Sequence, residues 1–229
     1  MIAGVDGHRR GWVVAIEDGQ GRTRLDFVTS FATLVDRTEL DLIVVDIPIG
    51  LLRDHPRQCD LLARRLLGRG RASSVFPAPY RSMLPAEDWT EACRLRTAVD
   101  GKRCSKEVAA ILPKIREVDA ALSPALQARV FEAHPEVIFS LMGTTTRGGR
   151  PLPRKATRTG RAARLRLLRR SFPDLGRRLR DFSLAGAVTD AIDAYACLWT
   201  ARRIVSGEVV RLPETPDVDE RGLRAEILG

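Results

Sequence analysis

The N-terminal part of the chain alternates between β-branched apolar runs and short polar breaks, a pattern that predicts strands joined by turns. The first stretch, residues 4–12, contains an apolar strand that ends at Asp6 and a turn flanked by glycines, and residues 12–16 resume a β-branched run. Because the second run is poor helix material, we predict an antiparallel hairpin and not the strand–turn–helix unit that binds dinucleotides. Residues 23–28 extend the hairpin to a third strand.

A short helix and a buried strand follow this meander. Ser30 is placed to cap the helix, and residues 42–46 form a nearly continuous apolar run that ends at a second carboxylate, Asp46. Such a run is typical of a strand covered on both faces, which we expect to pair in parallel with the first strand. This order is the opening of the RNase H-like α/β fold, in which an antiparallel meander and parallel strands form one mixed sheet flanked by helices. In that architecture Asp6 and Asp46 lie within reach of one divalent cation.

Residues 51–126 have the pattern of a largely helical insertion within a single RNase H-like domain, residues 1–229. Apolar periodicity predicts three helices in the insertion, over residues 57–67, 87–99 and 105–122. A proline inside the third of them, Pro113, predicts a bend or an interruption. The region contains no internal repeat.

A third acidic cluster lies at a strand-to-helix junction. A short strand ends at Glu132, and Pro135 occupies the first turn of a helix that ends at Gly143. Glu132, His134 and Glu136 surround this junction and are candidate site residues. A structural interpretation competes, in which the helix dipole favours Glu136 and His134 caps the helix or packs locally.

The last predicted helix, residues 188–201, carries two carboxylates on one face. Asp190 and Asp193 are three residues apart and therefore project from the same side about one turn from each other. The helix dipole accounts for Asp190 in the first turn, but this effect weakens by Asp193. Since Asp193 lies among residues with a core-facing pattern, it requires a partner, and a metal ion is the economical one.

Positive charge is concentrated in one acid-free segment. The chain has 38 Lys and Arg against 29 Asp and Glu, and ten of the basic residues fall between Arg147 and Arg170. A solvated surface normally mixes both signs, so we interpret the segment as a surface that contacts the phosphates of a nucleic acid. Its candidate contacts are Arg154, Lys155, Arg158, Arg161 and Arg164. The competing explanation is codon composition, since Lys occurs at only four positions.

The remaining composition favours a cytoplasmic protein without a membrane partner. No run resembles a transmembrane helix or a signal peptide. The four cysteines lack the paired spacing of a zinc site, so we interpret them as free thiols in a reducing compartment.

Six motifs follow one another along nearly the whole chain. They are Gly4-Val5-Asp6-Gly7 with Gly11-Trp12, Asp46-Ile47-Pro48-Ile49-Gly50, Arg57-Gln58-Cys59-Asp60 with Ala63-Arg64, Ser74-Val75-Phe76-Pro77-Ala78-Pro79, Glu132-Ala133-His134-Pro135-Glu136, and Asp190 to Ala194 with Trp199-Thr200-Ala201. Together they resemble an uncharacterised-domain family described as predicted RNase H-like nucleases, domain of unknown function 429. The chain differs from that family at His8 and Arg10, where Cys and Gly are usual. We expect His8 to add a base near the metal site and Arg10 to reach a phosphate.

The resemblance implies a divalent-metal-dependent nuclease that hydrolyses DNA or RNA. Asp6 would bridge two ions, Mg²⁺ or Mn²⁺, which prefer carboxylate oxygens. The other catalytic and metal-binding candidates are Asp46, Glu132, Asp190, Asp193 and, tuning the metal from outside its coordination shell, His134. The doubled acid on the last helix also resembles the Holliday-junction resolvase branch of the superfamily, for which a two-fold homodimer would be expected.

Three other functions are compatible with the same core. A non-catalytic nucleic-acid-binding protein would use the basic surface without hydrolysis. An actin- or sugar-kinase-like phosphotransferase usually needs a second related domain, for which 229 residues are too few. In a small-molecule phosphohydrolase the basic segment would be incidental.

Overall fold

The computed structural model describes residues 1–144, 152–184 and 186–229. Arg147 and Arg150, at the start of the basic segment, lie outside these ranges. The chain divides into two compact units. Unit 1 consists of Met1–Asp46, Arg129–Val210 and Leu228–Gly229, and unit 2 of Ile47–Ala128 and Arg211–Ile227.

Unit 1 is built on a mixed five-stranded sheet. Its strands are β1 (Ile2–His8), β2 (Gly11–Glu17), β3 (Thr23–Val28), β4 (Leu42–Val45) and β5 (Val130–Glu132). The order is β3-β2-β1-β4-β5, with β1–β2 and β2–β3 antiparallel and β1–β4 and β4–β5 parallel. The predicted hairpin, meander and parallel fourth strand are confirmed, and the sheet is consistent with an RNase H-like core.

All but one of the described helices agree with predicted ones to within a few residues. In chain order they are α1 (Phe31–Val35), α2 (Gln58–Leu67), α3 (Trp89–Asp100), α4 (Lys106–Ala121), α5 (Pro135–Thr144), α6 (Arg158–Ser171), α7 (Leu175–Asp181) and α8 (Val188–Ser206). Ser30 caps α1 by accepting a hydrogen bond from the backbone N–H of Thr33. α4 continues through Pro113 without interruption. Among the described residues, no helix combines the length and apolar character that crossing a membrane requires.

A helix and a pair of strands were not expected from the sequence. α7 is a short helix that follows α6, and a second, two-stranded sheet pairs β6 (Arg211–Val218) with β7 (Arg224–Leu228). β6 contains two prolines and no alternation of apolar residues, so its sequence carries no strand signal.

α8 packs along one face of the unit 1 sheet. Val13 and Val44 of the sheet share a hydrophobic cluster with Ala194 and Leu198 of α8. Trp12 points to the other face, where its ring lies 5.1 Å from that of Phe31 in α1. Side chains of a strand alternate between the two faces, so every second residue of β1, β2 and β4 points toward α8.

Buried ion pairs organise unit 2. Arg57 and Asp60 are only 3% and 2% exposed, and Arg57 Nη2 lies 2.5 Å from Asp60 Oδ1. Arg57 Nη1 donates a hydrogen bond to the carbonyl oxygen of Ile49 at 2.9 Å, and the N–H of Ala78 donates to Asp60 Oδ2 at 2.9 Å. The second, third and fourth motifs of the sequence are therefore joined by hydrogen bonds within this unit.

The closest approach of α8 to the sheet occurs at Gly4. A Cβ atom added at Gly4 would collide with the backbone nitrogen of Leu198 and the carbonyl oxygen of Ala194. We expect Gly4→Ala to lower the free energy of unfolding by at least about 3 kcal/mol, because backbone atoms cannot move aside as a flexible side chain can. Urea denaturation followed by circular dichroism measures the change.

The matched control is Gly19→Ala, since a Cβ at Gly19 meets no atom within 4 Å. We expect a change below about 0.5 kcal/mol there. Equal losses at the two positions would show that the approach of α8 does not depend on the missing side chain.

Candidate functional site

The register of β1 and β4 brings Asp6 and Asp46 together. Val5 is aligned with Val45 in the parallel pair, so Asp6 and Asp46 are the next residues along two neighbouring strands. The backbone N–H of Asp46 donates a hydrogen bond to the carbonyl oxygen of Val5 at 3.0 Å. β1 does not end at Asp6, as the sequence suggested, but continues to His8. Because Asp6 is two residues from Gly4, it points to the face covered by α8.

α8 supplies two further carboxylates over this point of the sheet. Asp190 lies in the first turn of the helix and is partly buried, whereas Asp193 is only 2% exposed. The negative charges of Asp46, Asp193 and Asp190 all raise the pKa of Asp6. The structure therefore gathers four of the predicted carboxylates, which we call the carboxylate cluster: Asp6, Asp46, Asp190 and Asp193.

Burial and mutual repulsion make this cluster difficult to ionise. Burial, followed by the charges of the other three aspartates, raises the pKa of Asp6 well above its usual range. Burial and the charge of Asp193 raise the pKa of Asp46 to about 7, and burial also raises the pKa of Asp190 and of Asp193. Near neutral pH the cluster therefore requires protons or a positive charge to remain stable.

Lys155 provides one positive charge. Its Nζ lies 3.1 Å from Asp193 Oδ2. Although burial acts in the opposite direction, the charges of Asp193, Asp46 and Asp6 raise the pKa of Lys155. In return, the ammonium lowers the pKa of each member of the cluster. The sequence predicted that Lys155 contacts phosphate, and the charge pattern alone gave no sign of its pairing with Asp193.

The strand-to-helix junction contributes differently from the prediction. Glu132 is aligned with Val45, one residue before Asp46, so the alternation of side chains places it on the face opposite Asp6 and Asp46. The charge of Glu136, which is buried in α5, raises the pKa of Asp46 and acts on Asp193 in the same direction. The junction therefore places Glu136 within the electrostatic field of the cluster.

His134 packs locally at the start of α5. Its Nδ1 accepts a hydrogen bond from the backbone N–H of Glu136 at 3.2 Å. This contact is the one expected from the structural interpretation of the residue. A role for His134 in tuning a bound metal remains a prediction.

Arg164 lies in the interior of unit 1 and not on the surface predicted for it. Its side chain is 1% exposed, and its Nη2 donates to Glu136 Oε1 at 2.6 Å. Its Nη1 donates to the carbonyl oxygens of Pro153 and Gly160 at 2.9 and 3.1 Å. Arg164 thus ties α6 to α5 and to the segment that precedes Lys155. The buried positions of α6, which include Ala163, Leu167 and Leu168, have the helical spacing that could have identified it.

The other predicted basic contacts are exposed. Arg154, Arg158 and Arg161 are exposed on the segment before α6 and in its first turn, and Arg10 is exposed in the β1–β2 turn. His8 is buried, and its Nδ1, when unprotonated, accepts from the N–H of Arg10 at 3.3 Å. In its protonated form the same ring lowers the pKa of Asp190. The exposed arginines therefore lie, along the chain, close to Lys155 and His8, two residues that act on the cluster.

The cluster suits a hard divalent cation in its chemistry. Four carboxylates with raised pKa values offer the oxygen ligands that Mg²⁺ and Mn²⁺ prefer. In the part of the chain that the structure describes, no group of three or more His, Cys, Asp or Glu side chains is already arranged to hold a metal ion. Metal binding would thus require a rearrangement of side chains, and the ammonium of Lys155 is the positive charge already paired with one of the carboxylates.

Comparison with known proteins places the chain in a family. Residues 4–218 match the model of a family described as "Protein of unknown function (DUF429)". No curated protein and no solved structure gives a match.

Asp46→Asn tests the electrostatic strain of the cluster. A carboxyl whose pKa is raised to about 7 binds its proton more tightly in the folded than in the unfolded state. The resulting destabilisation is absent below about pH 4, increases as pH rises to about 7, and is constant above that value.

We expect Asp46→Asn to raise the free energy of unfolding at pH 8 by an amount on the order of 2 kcal/mol, and by less at about pH 5. Urea unfolding in chelator at both pH values measures the difference, with exposed Asp181→Asn as control. A gain that does not depend on pH would contradict the assignment.

Arg164→Met tests the buried ion pair with Glu136. The change removes the arginine that pairs with the buried Glu136, so we expect the free energy of unfolding to fall by about 3–5 kcal/mol. Arg161→Met removes the same charge from an exposed position of the same helix and should change stability by less than about 0.5 kcal/mol. Adding Glu136→Gln to Arg164→Met should recover part of the loss, and additive effects in the double mutant would argue against the pair.

Proposed function

The chain belongs to the DUF429 family, and we propose that its function is divalent-metal-dependent hydrolysis of phosphodiester bonds in DNA or RNA. The observation that carries the proposal is the carboxylate cluster. Its members come from β1, the end of β4 and the start of α8, and their pKa values are raised by burial together. Buried acids with raised pKa values, brought together from separate elements, are typical of functional sites.

The carboxylates of the cluster would hold two ions, Mg²⁺ or Mn²⁺. Such ions, when bound, activate a water molecule and neutralise negative charge on a phosphate group. The charges of Asp46, Asp190 and Asp193 all act on Asp6. Asp6 would therefore be among the residues that hold the ions. Glu132 is left out of the ligand set because the strand register directs it to the other face of the sheet.

The arginines near the cluster would bind the phosphate backbone. Arg154 precedes Lys155 directly, and Arg158 begins α6 three residues later, so both exposed side chains lie on the segment that brings Lys155 to Asp193. Contacts of this kind position a nucleic acid without reading its sequence. Arg10 is exposed two residues after His8, whose protonated form lowers the pKa of Asp190. The exposed arginines are thus close in sequence to two residues that act on the cluster.

Non-catalytic nucleic-acid binding is the second candidate. It is favoured by the ion pair of Lys155 with Asp193, because a carboxylate already paired with an ammonium needs no metal ion. Under this alternative the exposed arginines would bind phosphate and the cluster would be structural. The two candidates differ in whether the carboxylates are needed for a chemical reaction.

Cleavage of an end-labelled panel of DNA, RNA, hybrid and four-way-junction substrates tests the proposal. With Mn²⁺ or Mg²⁺ we expect the wild-type protein to cut at least one substrate, and Asp6→Asn and Asp193→Asn to reduce the rate at least about 100-fold. Both variants should retain binding, since they add no negative charge. Asp181→Asn, an exposed change on α7, should keep full activity.

The result separates the candidates. Full cleavage activity in Asp6→Asn would contradict the assignment of the carboxylate cluster as the catalytic site. Salt-sensitive binding with no cleavage by any form would favour the non-catalytic alternative, because counterion release needs only the arginines.

A further inference from the structure

Lys155 reaches the carboxylate cluster from solvent. Its Nζ lies 3.1 Å from Asp193 Oδ2, yet its side chain is 51% exposed while that of Asp193 is 2% exposed. The charges of Asp46 and Asp6 act on the same ammonium. The positive charge is therefore inside the field of the cluster, whereas much of the stem that carries it is in water. A side chain held in this way can leave the site with little disturbance of the core.

The backbone that carries Lys155 is fixed by hydrogen bonds on both sides. Arg164 donates to the carbonyl oxygen of Pro153 at 2.9 Å, two residues before Lys155. Thr157, two residues after it, donates through Oγ1 to the carbonyl oxygen of Arg154 at 2.8 Å and caps α6 by accepting from the N–H of Gly160 at 3.0 Å. The position of the ammonium thus follows from a defined loop, and the part that is free to move is the side chain.

A divalent cation and this ammonium would compete for the same acceptor. Both cations are attracted by the cluster. If both were bound to the same carboxylate, they would be close enough to repel each other. Asp193 is too deeply buried to turn toward solvent and accommodate both. One of the two must therefore withdraw, and the half-exposed lysine is the one with a path into water.

We propose that Lys155 is the internal counter-cation of the carboxylate cluster and that a divalent cation binds by displacing its ammonium from Asp193. The inference rests on the divalent-cation binding proposed above. It means that the metal-free cluster is balanced by the protein itself, and that metal affinity is lowered by the strength of the ion pair. The released ammonium then lies on the same segment as Arg154 and Arg158, where it adds to the basic surface.

Titration of the full chain with Mn²⁺ by calorimetry, without nucleic acid, tests the proposal. We expect Lys155→Gln to bind Mn²⁺ about tenfold more tightly than the wild type, since a charge-assisted hydrogen bond no longer has to be broken. Lys155→Arg, which keeps the charge, should remain close to the wild type. Arg158→Gln removes the same charge three residues away and should also leave the affinity nearly unchanged.

A second measurement uses the wild-type protein alone. Acetylation of Lys155 by acetic anhydride, quantified by mass spectrometry, should increase when Mn²⁺ is added, because its amino group is no longer held in the ion pair with Asp193. Exposed Lys102 provides the internal reference, and its reactivity should not change.

Each outcome bears on one claim or on both. Wild-type binding of Mn²⁺ with unchanged or weaker binding by Lys155→Gln would overturn the role of Lys155 and leave the proposed function in place. An equal gain in Mn²⁺ affinity in Arg158→Gln would also overturn the role of Lys155. So would acetylation of Lys155 that does not change when Mn²⁺ is added. Failure of every folded form to bind Mn²⁺ would reject the metal-dependent function and this inference together.

Discussion

The approach of α8 to β1 at Gly4 is the contact on which the candidate site depends. Since Gly4 lacks a Cβ, the backbone of Ala194 and Leu198 lies directly against the strand. Asp193 immediately precedes Ala194, and Asp6 follows Gly4 by two residues on the same face. The packing that closes the core therefore also determines how near the carboxylates of the helix come to those of the sheet. The same burial that stabilises unit 1 removes water from these acids and makes their charges unfavourable.

Unit 1 balances its buried acids with two basic side chains of different character. Arg164 is fully enclosed, pairs with Glu136 and also donates to two carbonyl oxygens, so its several hydrogen bonds hold it in one orientation. Lys155 makes one ion pair through a single nitrogen and remains half-exposed. A guanidinium that donates to several acceptors is suited to a fixed structural contact. An ammonium on a flexible side chain is suited to leaving its partner when another cation binds. The two residues occupy one basic segment, yet one belongs to the core and the other to the site.

Periodicity in the sequence was sufficient for the sheet, but charge alone was not sufficient for the site. Alternating and continuous apolar runs predicted β1 to β4, and the parallel pairing of β1 with β4 then placed Asp6 beside Asp46. The sheet face to which a carboxylate points and the ion-pair partner of a basic residue were harder to predict. A one-residue difference in register decides that Glu132 turns away from Asp46, and no pattern in a short strand reveals it. A run of basic residues looks uniform in sequence, and the apolar spacing of α6 was the signal that could have identified Arg164 as buried. For Lys155 the sequence carried no comparable signal, because its ion-pair partner Asp193 lies 38 residues further along the chain.

The presence of both the cluster and exposed arginines in unit 1 bears on the choice between hydrolysis and binding. Surface arginines attract a polyanion without assistance, and the negative charge of the carboxylates would repel it. A protein that only binds nucleic acid would therefore gain nothing from four acids at this point of the sheet. A divalent cation removes the conflict, since it is attracted by the acids and presents positive charge to a phosphate. It would also have to release protons, because a carboxyl with a pKa of about 7, such as Asp46, is a ligand only after it ionises. Cation affinity should then rise with pH through neutrality, a dependence that arginine–phosphate contacts do not have.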